Sequence, residues 1–172
     1  MEAWVPTFSW IRPDLAVGGA FPIERAACLV ADHGVGAVID MRSEACDDLG
    51  VLEQWGVRFL HLPTEDMAGV SQRSLDQAVA FARNCAAADL RLLVHCQHGI
   101  GRSALVVLCI LMAGGLGPLE ALALAKAGRQ EVSPSEAQYQ AWREWIARRT
   151  RFKPPSYHEF GMIAYRPLGR GG

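Results

Sequence analysis

Short apolar runs, separated by polar stretches with glycine or proline, recur along the first 95 residues. Leu15-Ala16-Val17, Val35 to Met41, Val57 to Leu62 and Leu90 to Val94 are each a few residues long and rich in leucine and β-branched side chains. Each predicts a strand, and Pro63 reads as the stop of the third. Stretches of helical spacing lie between them. One begins near Pro22 and ends at His33-Gly34. A second, Ser71 to Ala88, puts Leu75, Val79 and Ala82 on one face, with Ser71 placed to cap it. The run Ala104 to Gly115 is apolar on every side and predicts a helix surrounded by protein. Two more helices follow, from about Pro118 to Gly128 and from Pro134 to about Arg149. Strands alternating with helices predict a single α/β domain whose central, mostly parallel sheet of about four or five strands is flanked by helices on both faces.

The pattern breaks after residue 150, so residues 1–150 read as the folded domain and 151–172 as an extension. Pro154-Pro155, Pro167 and Gly169-Arg170-Gly171-Gly172 argue against a regular helix there. Arg151, Lys153, Arg166 and Arg170 make the extension basic. It reads as an extended terminus packed by Phe152, Tyr157, Phe160 and Tyr165 in preference to a free recognition arm, because aromatic residues are scarce in disordered segments.

Composition narrows the class. With 51% hydrophobic and 20% charged residues and a net charge of −1, the chain suits a soluble globular protein with no overall pull toward nucleic acid or membranes. Five scattered cysteines without C-x-x-C spacing predict reduced thiols in a cytoplasmic setting, with neither a disulfide frame nor a zinc site. The start at Met1-Glu2-Ala3-Trp4-Val5-Pro6 lacks the pattern of a signal peptide. The longest apolar run is too short to span a bilayer.

The chemistry concentrates in His95-Cys96-Gln97-His98-Gly99-Ile100-Gly101-Arg102-Ser103, between the fourth predicted strand and the buried helix. A loop that opens a helix gathers backbone N–H groups and the positive end of the helix dipole, which together make an anion site. Gly99 and Gly101 let the backbone curl so that these groups turn inward. Arg102 adds a planar cation that matches two phosphate oxygens. Cys96 sits where that field favours a thiolate, the nucleophilic form of cysteine. The loop suits a tetrahedral oxyanion held against sulfur.

This stretch resembles the signature loop of the cysteine-dependent protein tyrosine phosphatases, and its Gly-Ile-Gly-Arg-Ser ending looks most like the compact dual-specificity branch. The resemblance covers roughly residues 7–149. It implies a cysteinyl-phosphate mechanism with Cys96 as nucleophile, Arg102 as phosphate clamp and the loop from Gln97 through His98, Gly99, Ile100 and Gly101 as cradle. It also implies that Asp66, in Leu62-Pro63-Thr64-Glu65-Asp66-Met67, is the general acid, and that Ser103 assists departure of the sulfur. Glu65 competes with Asp66 for the acid role. Gln138 matches a position where some members align water, and His95 fits a role in ordering the loop. No metal or other cofactor is implied.

The implied substrate is a phosphoprotein or phosphopeptide, chiefly at tyrosine, and phosphate or vanadate would inhibit. The loop carries no lysine, unlike the phosphoinositide-specific relatives. Phosphatases of inositol phosphates, phosphoinositides or an RNA 5′ end would share the mechanism. A rhodanese-type transferase does not require the Gly-x-x-Arg-Ser spacing, and a non-catalytic phosphate-binding module does not require Cys96, Arg102 and Asp66 together.

Overall fold

The computed structural model describes residues 3–167. Five strands, β1 (Phe8–Arg12), β2 (Leu15–Gly18), β3 (Val35–Arg42), β4 (Arg58–Thr64) and β5 (Arg91–His95), form one sheet in the order β1-β2-β5-β3-β4. Only the β1–β2 pair is antiparallel. The helices are α1 (Ala26–Ala31, after a 3-10 turn over Ile23–Arg25), α2 (Leu49–Gln54), α3 (Gln72–Ala87), α4 (Arg102–Ala113), α5 (Pro118–Gly128), α6 (Glu136–Arg149) and α7 (Tyr157–Ala164).

Alternation along the strands divides the core in two, because successive side chains leave a strand on opposite faces. Leu92 and Val94 of β5 face the larger cluster, made with α3, α4, α5, α6 and α7, while Leu93 faces the smaller one with α1 and α2. In β2, Leu15 and Val17 divide from Ala16 in the same way. From Arg102 to Met112, every residue of α4 is buried, so its start is held still beneath the carboxyl ends of the central strands. Open α/β sheets commonly bind ligands at that edge.

The predicted class and most elements agree with the structure, including Ser71 as the cap of α3, where its side chain accepts from the Ser74 amide at 3.1 Å. Three readings need correction. The extension contains a regular helix, α7. The prolines that argued against one only bound it: Ser156 and Glu159 form a reciprocal capping box behind Pro155, and eight residues fit before Pro167. Phe160 and Ala164 of α7 are fully buried in the larger cluster, while Phe152, Tyr157 and Tyr165 stay partly exposed. Arg170 and the terminal glycines lie outside the described residues.

Pro63 does not stop β4, which continues to Thr64. As an edge strand β4 tolerates a residue without an N–H, and the β3–β4 pairing shifts register next to it, between Asp40 and Arg42. The third correction is one of omission: β1 and the short α2 were not anticipated. Among the described residues no helix is long and apolar enough to cross a membrane, and all five cysteines are unpaired.

Candidate active site

Residues 95–103 leave β5, curl across the end of β2 and enter α4. Gly99 has φ +68° and lies against β2, where an added Cβ would come within 2.4 Å of the Gly18 carbonyl carbon. Only glycine fits both the backbone angle and the space. Four successive carbonyls of the loop are each held from outside. The Gln97 carbonyl accepts from the Ala20 amide (3.0 Å) and the Ile100 carbonyl from the Ser133 amide (2.8 Å). The His98 and Gly99 carbonyls accept from the Arg129 guanidinium at 3.0 and 2.9 Å. A trans peptide sets each carbonyl opposite the next N–H. The amides of residues 98–101 therefore turn inward, and that of Gly99 reaches the Cys96 sulfur at 3.3 Å.

Cys96 is buried, with its Sγ 3.2 Å from the Ser103 hydroxyl. Burial alone would raise the thiol pKa. Hydrogen bonds from the Ser103 hydroxyl, the Ser103 and Gly99 amides, and the charge of Arg102 outweigh it, and the pKa falls below the ordinary value.

Arg102 is 1% exposed. Its two terminal nitrogens donate to Glu44 at 2.8 and 2.7 Å, and one also donates to the Thr64 carbonyl at 2.8 Å. Those bonds hold the outer edge of the guanidinium. Its Nε is buried and has no hydrogen-bond partner among the described residues, so the edge it shares with one terminal nitrogen remains available to an oxyanion. Glu44 answers the cation in turn: chiefly through the bonds from Arg102, its carboxyl pKa is lowered to about 2.

Asp66 overhangs this edge, with one carboxylate oxygen 3.6 Å from the Arg102 Nε. Among the described residues Asp66, and not its neighbour Glu65, comes within ion-pair distance of Arg102. Gln138 is buried against Gly101, where an added Cβ would sit 2.4 Å from its amide oxygen. Ser103 is brought to the sulfur, whereas the side chains of Gln97, His98 and Ile100 are exposed and leave the cradle to backbone amides.

Behind the loop, His95 is fully buried. Its Nε2 lies 2.5 Å from Asp47 and its Nδ1 lies 3.1 Å from the Cys96 carbonyl. Burial presses the ring toward its neutral form, but the Asp47 bond and the charges of Asp47 and Asp40 outweigh this and raise its pKa. Arg42 completes the cluster, bonding both Asp40 and Asp47 at 3.0 Å. Asp40, Asp47 and His95 have the spacing of a metal site, but these bonds already occupy them.

Glu44, Arg129 and the Asp40–Arg42–Asp47 group were not anticipated. The last left a trace, since Asp40 and Arg42 are charges two apart at the end of an otherwise apolar strand. Glu44 and Arg129 left none.

A family model described as "Tc-R-P: Polymorphic toxin system, DSP-PTPase phosphatase" matches residues 17–116, from within β2 to just beyond α4. The chain belongs to this DSP-PTPase phosphatase family. The family match takes in Glu44, Asp66 and the whole signature loop, and stops short of Gln138. A DSP-PTPase relative from Mus musculus, dual specificity protein phosphatase 12, is 33% identical over 103 residues, 59% of this chain. The match spans only 30% of that protein's length. Phosphatidylglycerophosphatase and protein-tyrosine phosphatase 1 of Mus musculus is 31% identical over 135 residues, 74% of this chain and 70% of its own length. Among solved structures, Tk-PTP in its active form superposes with a TM-score of 0.76 at 25% identity, covering 83% of this chain and 98% of that one.

Proposed function

We propose that this protein hydrolyses phosphate monoesters in proteins, with phosphotyrosine as the main substrate and phosphoserine or phosphothreonine as secondary ones, through a cysteinyl-phosphate intermediate. The observation that carries the reading is the buried Cys96 sulfur, bonded by Ser103 and Gly99 beside the unpartnered Nε of Arg102.

In the first step the Cys96 thiolate attacks phosphorus in line. The inward amides and the free edge of Arg102 bind the equatorial oxygens and stabilise their charge through the transition state. The bond from phosphorus to the leaving oxygen breaks as Asp66 delivers a proton to that oxygen. In the second step Asp66 takes a proton from water, which attacks the phosphocysteine and releases phosphate. Ser103 donates to the departing sulfur, and Gln138 lies beside Gly101 where it can orient the water. His95 holds the Cys96 carbonyl and so orders the loop. These steps use only groups of the chain, so chelators leave the activity unchanged, while vanadate competes with substrate. Five unpaired cysteines support a reducing, cytoplasmic setting.

The rim favours a singly phosphorylated substrate. Glu44, Glu65 and Asp66 are acidic and exposed, and Arg129 is committed to loop carbonyls, a charge balance that disfavours a second phosphate. A second reading, a lipid phosphate, draws on the name of the mouse phosphatidylglycerophosphatase relative.

Parallel assays on phosphotyrosine peptides, phosphoinositides and phosphatidylglycerophosphate choose between the two. Cys96→Ser abolishes turnover, and turnover within about tenfold of wild type refutes the nucleophile. Asp66→Asn lowers kcat/KM for phosphotyrosine by roughly 10²–10⁴-fold and for a nitrophenyl phosphate far less, because kcat/KM reports formation of the phosphocysteine alone and nitrophenolate leaves without a proton.

A further inference from the structure

Asp66 sits on a strained turn that is restrained both from within and from outside. The Ala68 amide closes it onto the Glu65 carbonyl at 3.2 Å, and Met67, between them, takes φ +63°. A long side chain in the left-handed region is unfavourable and persists only where its surroundings enforce it. One restraint is internal, the Met67 amide donating to the Asp66 carboxylate at 2.9 Å. That bond engages Oδ1 alone and leaves Oδ2 to face a leaving group. The other comes from outside: the Ser135 hydroxyl donates to the Met67 carbonyl at 2.8 Å.

Ser135 is also the N-cap of α6, where its oxygen accepts from the Gln138 amide at 3.2 Å and the Gln138 side chain answers from Ser135 N at 2.8 Å. Two residues earlier, the Ser133 amide grips the Ile100 carbonyl of the signature loop. The segment 133–135 therefore joins the turn bearing Asp66 to the loop bearing Cys96, by one hydrogen bond to each. Its far side is fixed as well. The Tyr165 hydroxyl, at the end of α7, donates to the Pro134 carbonyl at 2.7 Å. Lys126 ties the Val132 carbonyl to that of Ala164, at 2.8 Å each. Next to the turn, Gly69 fits closely against α6, where a Cβ would lie 3.0 Å from the Ala137 carbonyl oxygen.

We infer that Ser135 is a positioning residue for proton transfer: its hydroxyl sets the turn of Asp66 in register with the signature loop, and α7 braces the segment that carries it. This rests on the proposed role of Asp66. The two functions of Ser135 separate chemically. Glycine caps a helix almost as well as serine but has no hydroxyl to donate, whereas threonine keeps both cap and donor.

The experiment compares Ser135→Gly, Ser135→Thr, Asp66→Asn and the double variant Ser135→Gly/Asp66→Asn, on a phosphotyrosine peptide and on nitrophenyl phosphate. Ser135→Gly is expected to lower kcat/KM on the peptide by about tenfold, part of the roughly 10²–10⁴-fold general-acid effect. On nitrophenyl phosphate it changes little. Ser135→Thr restores the peptide rate, and Ser135→Gly costs nothing further once Asp66 is Asn, since the two act as one unit. Equal losses on both substrates, an additive double variant, or wild-type behaviour of Ser135→Gly overturns the inference while Asp66 stands. If Asp66→Asn shows no preference between leaving groups, the acid assignment fails and takes this inference with it.

Discussion

Removing the Ser103 hydroxyl isolates one of the contacts that lower the Cys96 pKa. The sulfur receives the Ser103 hydroxyl at 3.2 Å and the Gly99 amide at 3.3 Å, with the Ser103 amide and the Arg102 charge adding to them. A hydrogen bond to a charged group contributes about 1.5–3 kcal/mol, and a large, diffuse sulfur places this one near the low end. At about 1.4 kcal/mol per pKa unit, Ser103→Ala should raise the thiol pKa by roughly one unit. The amides and Arg102 remain, so the thiol does not return to its ordinary value. Iodoacetamide alkylation followed against pH reads the change directly, because only the thiolate reacts. Under the proposed mechanism the same variant should also accumulate phosphocysteine in rapid-quench experiments, since the leaving sulfur would lose its donor. An alkylation profile that does not move on Ser103→Ala would show that the hydroxyl is not bonded to the thiolate and would refute this account of its activation.

Two further perturbations test the scaffold. Gly99→Ala forces a left-handed alanine into the Gly18 backbone and should move the loop enough to lower kcat/KM by at least about 10²-fold; near-normal kinetics with unchanged vanadate affinity would contradict the close approach. Asp47→Asn takes from buried His95 its nearest anion and should destabilise the fold by about 3–5 kcal/mol. Because the folded pKa of His95 is raised, its contribution is complete below the unfolded value of about 6.5 and fades as pH rises through the folded one. Urea unfolding at about pH 6 and pH 9 should therefore show a smaller penalty at the higher pH, and a penalty that grows with pH contradicts a raised His95 pKa.

How much of this was legible in the sequence depends on whether the cause was local. The short apolar runs of β2, β3 and β5, the cap of α3 and the unbroken apolarity of α4 are written in neighbouring residues, and each element lies where those residues place it. So does the signature loop, because its glycines, cation and thiol are contiguous. Pro63 and Pro154-Pro155 misled because a proline's effect depends on what its missing N–H faces. At a sheet edge or before an N-cap it faces nothing that matters. Glu44 and Arg129 were invisible for a different reason: each acts on the loop from 58 and 30 positions away, through contacts that exist only once β3 and α5 are packed. Resemblance selects Asp66 over Glu65, and of the two Asp66 is the one within ion-pair distance of Arg102.

The cradle is made of main chain, with outward carbonyls anchored by Ala20, Arg129 and Ser133, while His98 and Ile100 are exposed and the Gln97 side chain turns to accept from Arg42 at 3.4 Å. Chemistry and recognition are thereby written in different parts of the same loop. Substitution at His98 or Ile100 can therefore change what docks at the mouth without disturbing the backbone amides that form the anion cradle.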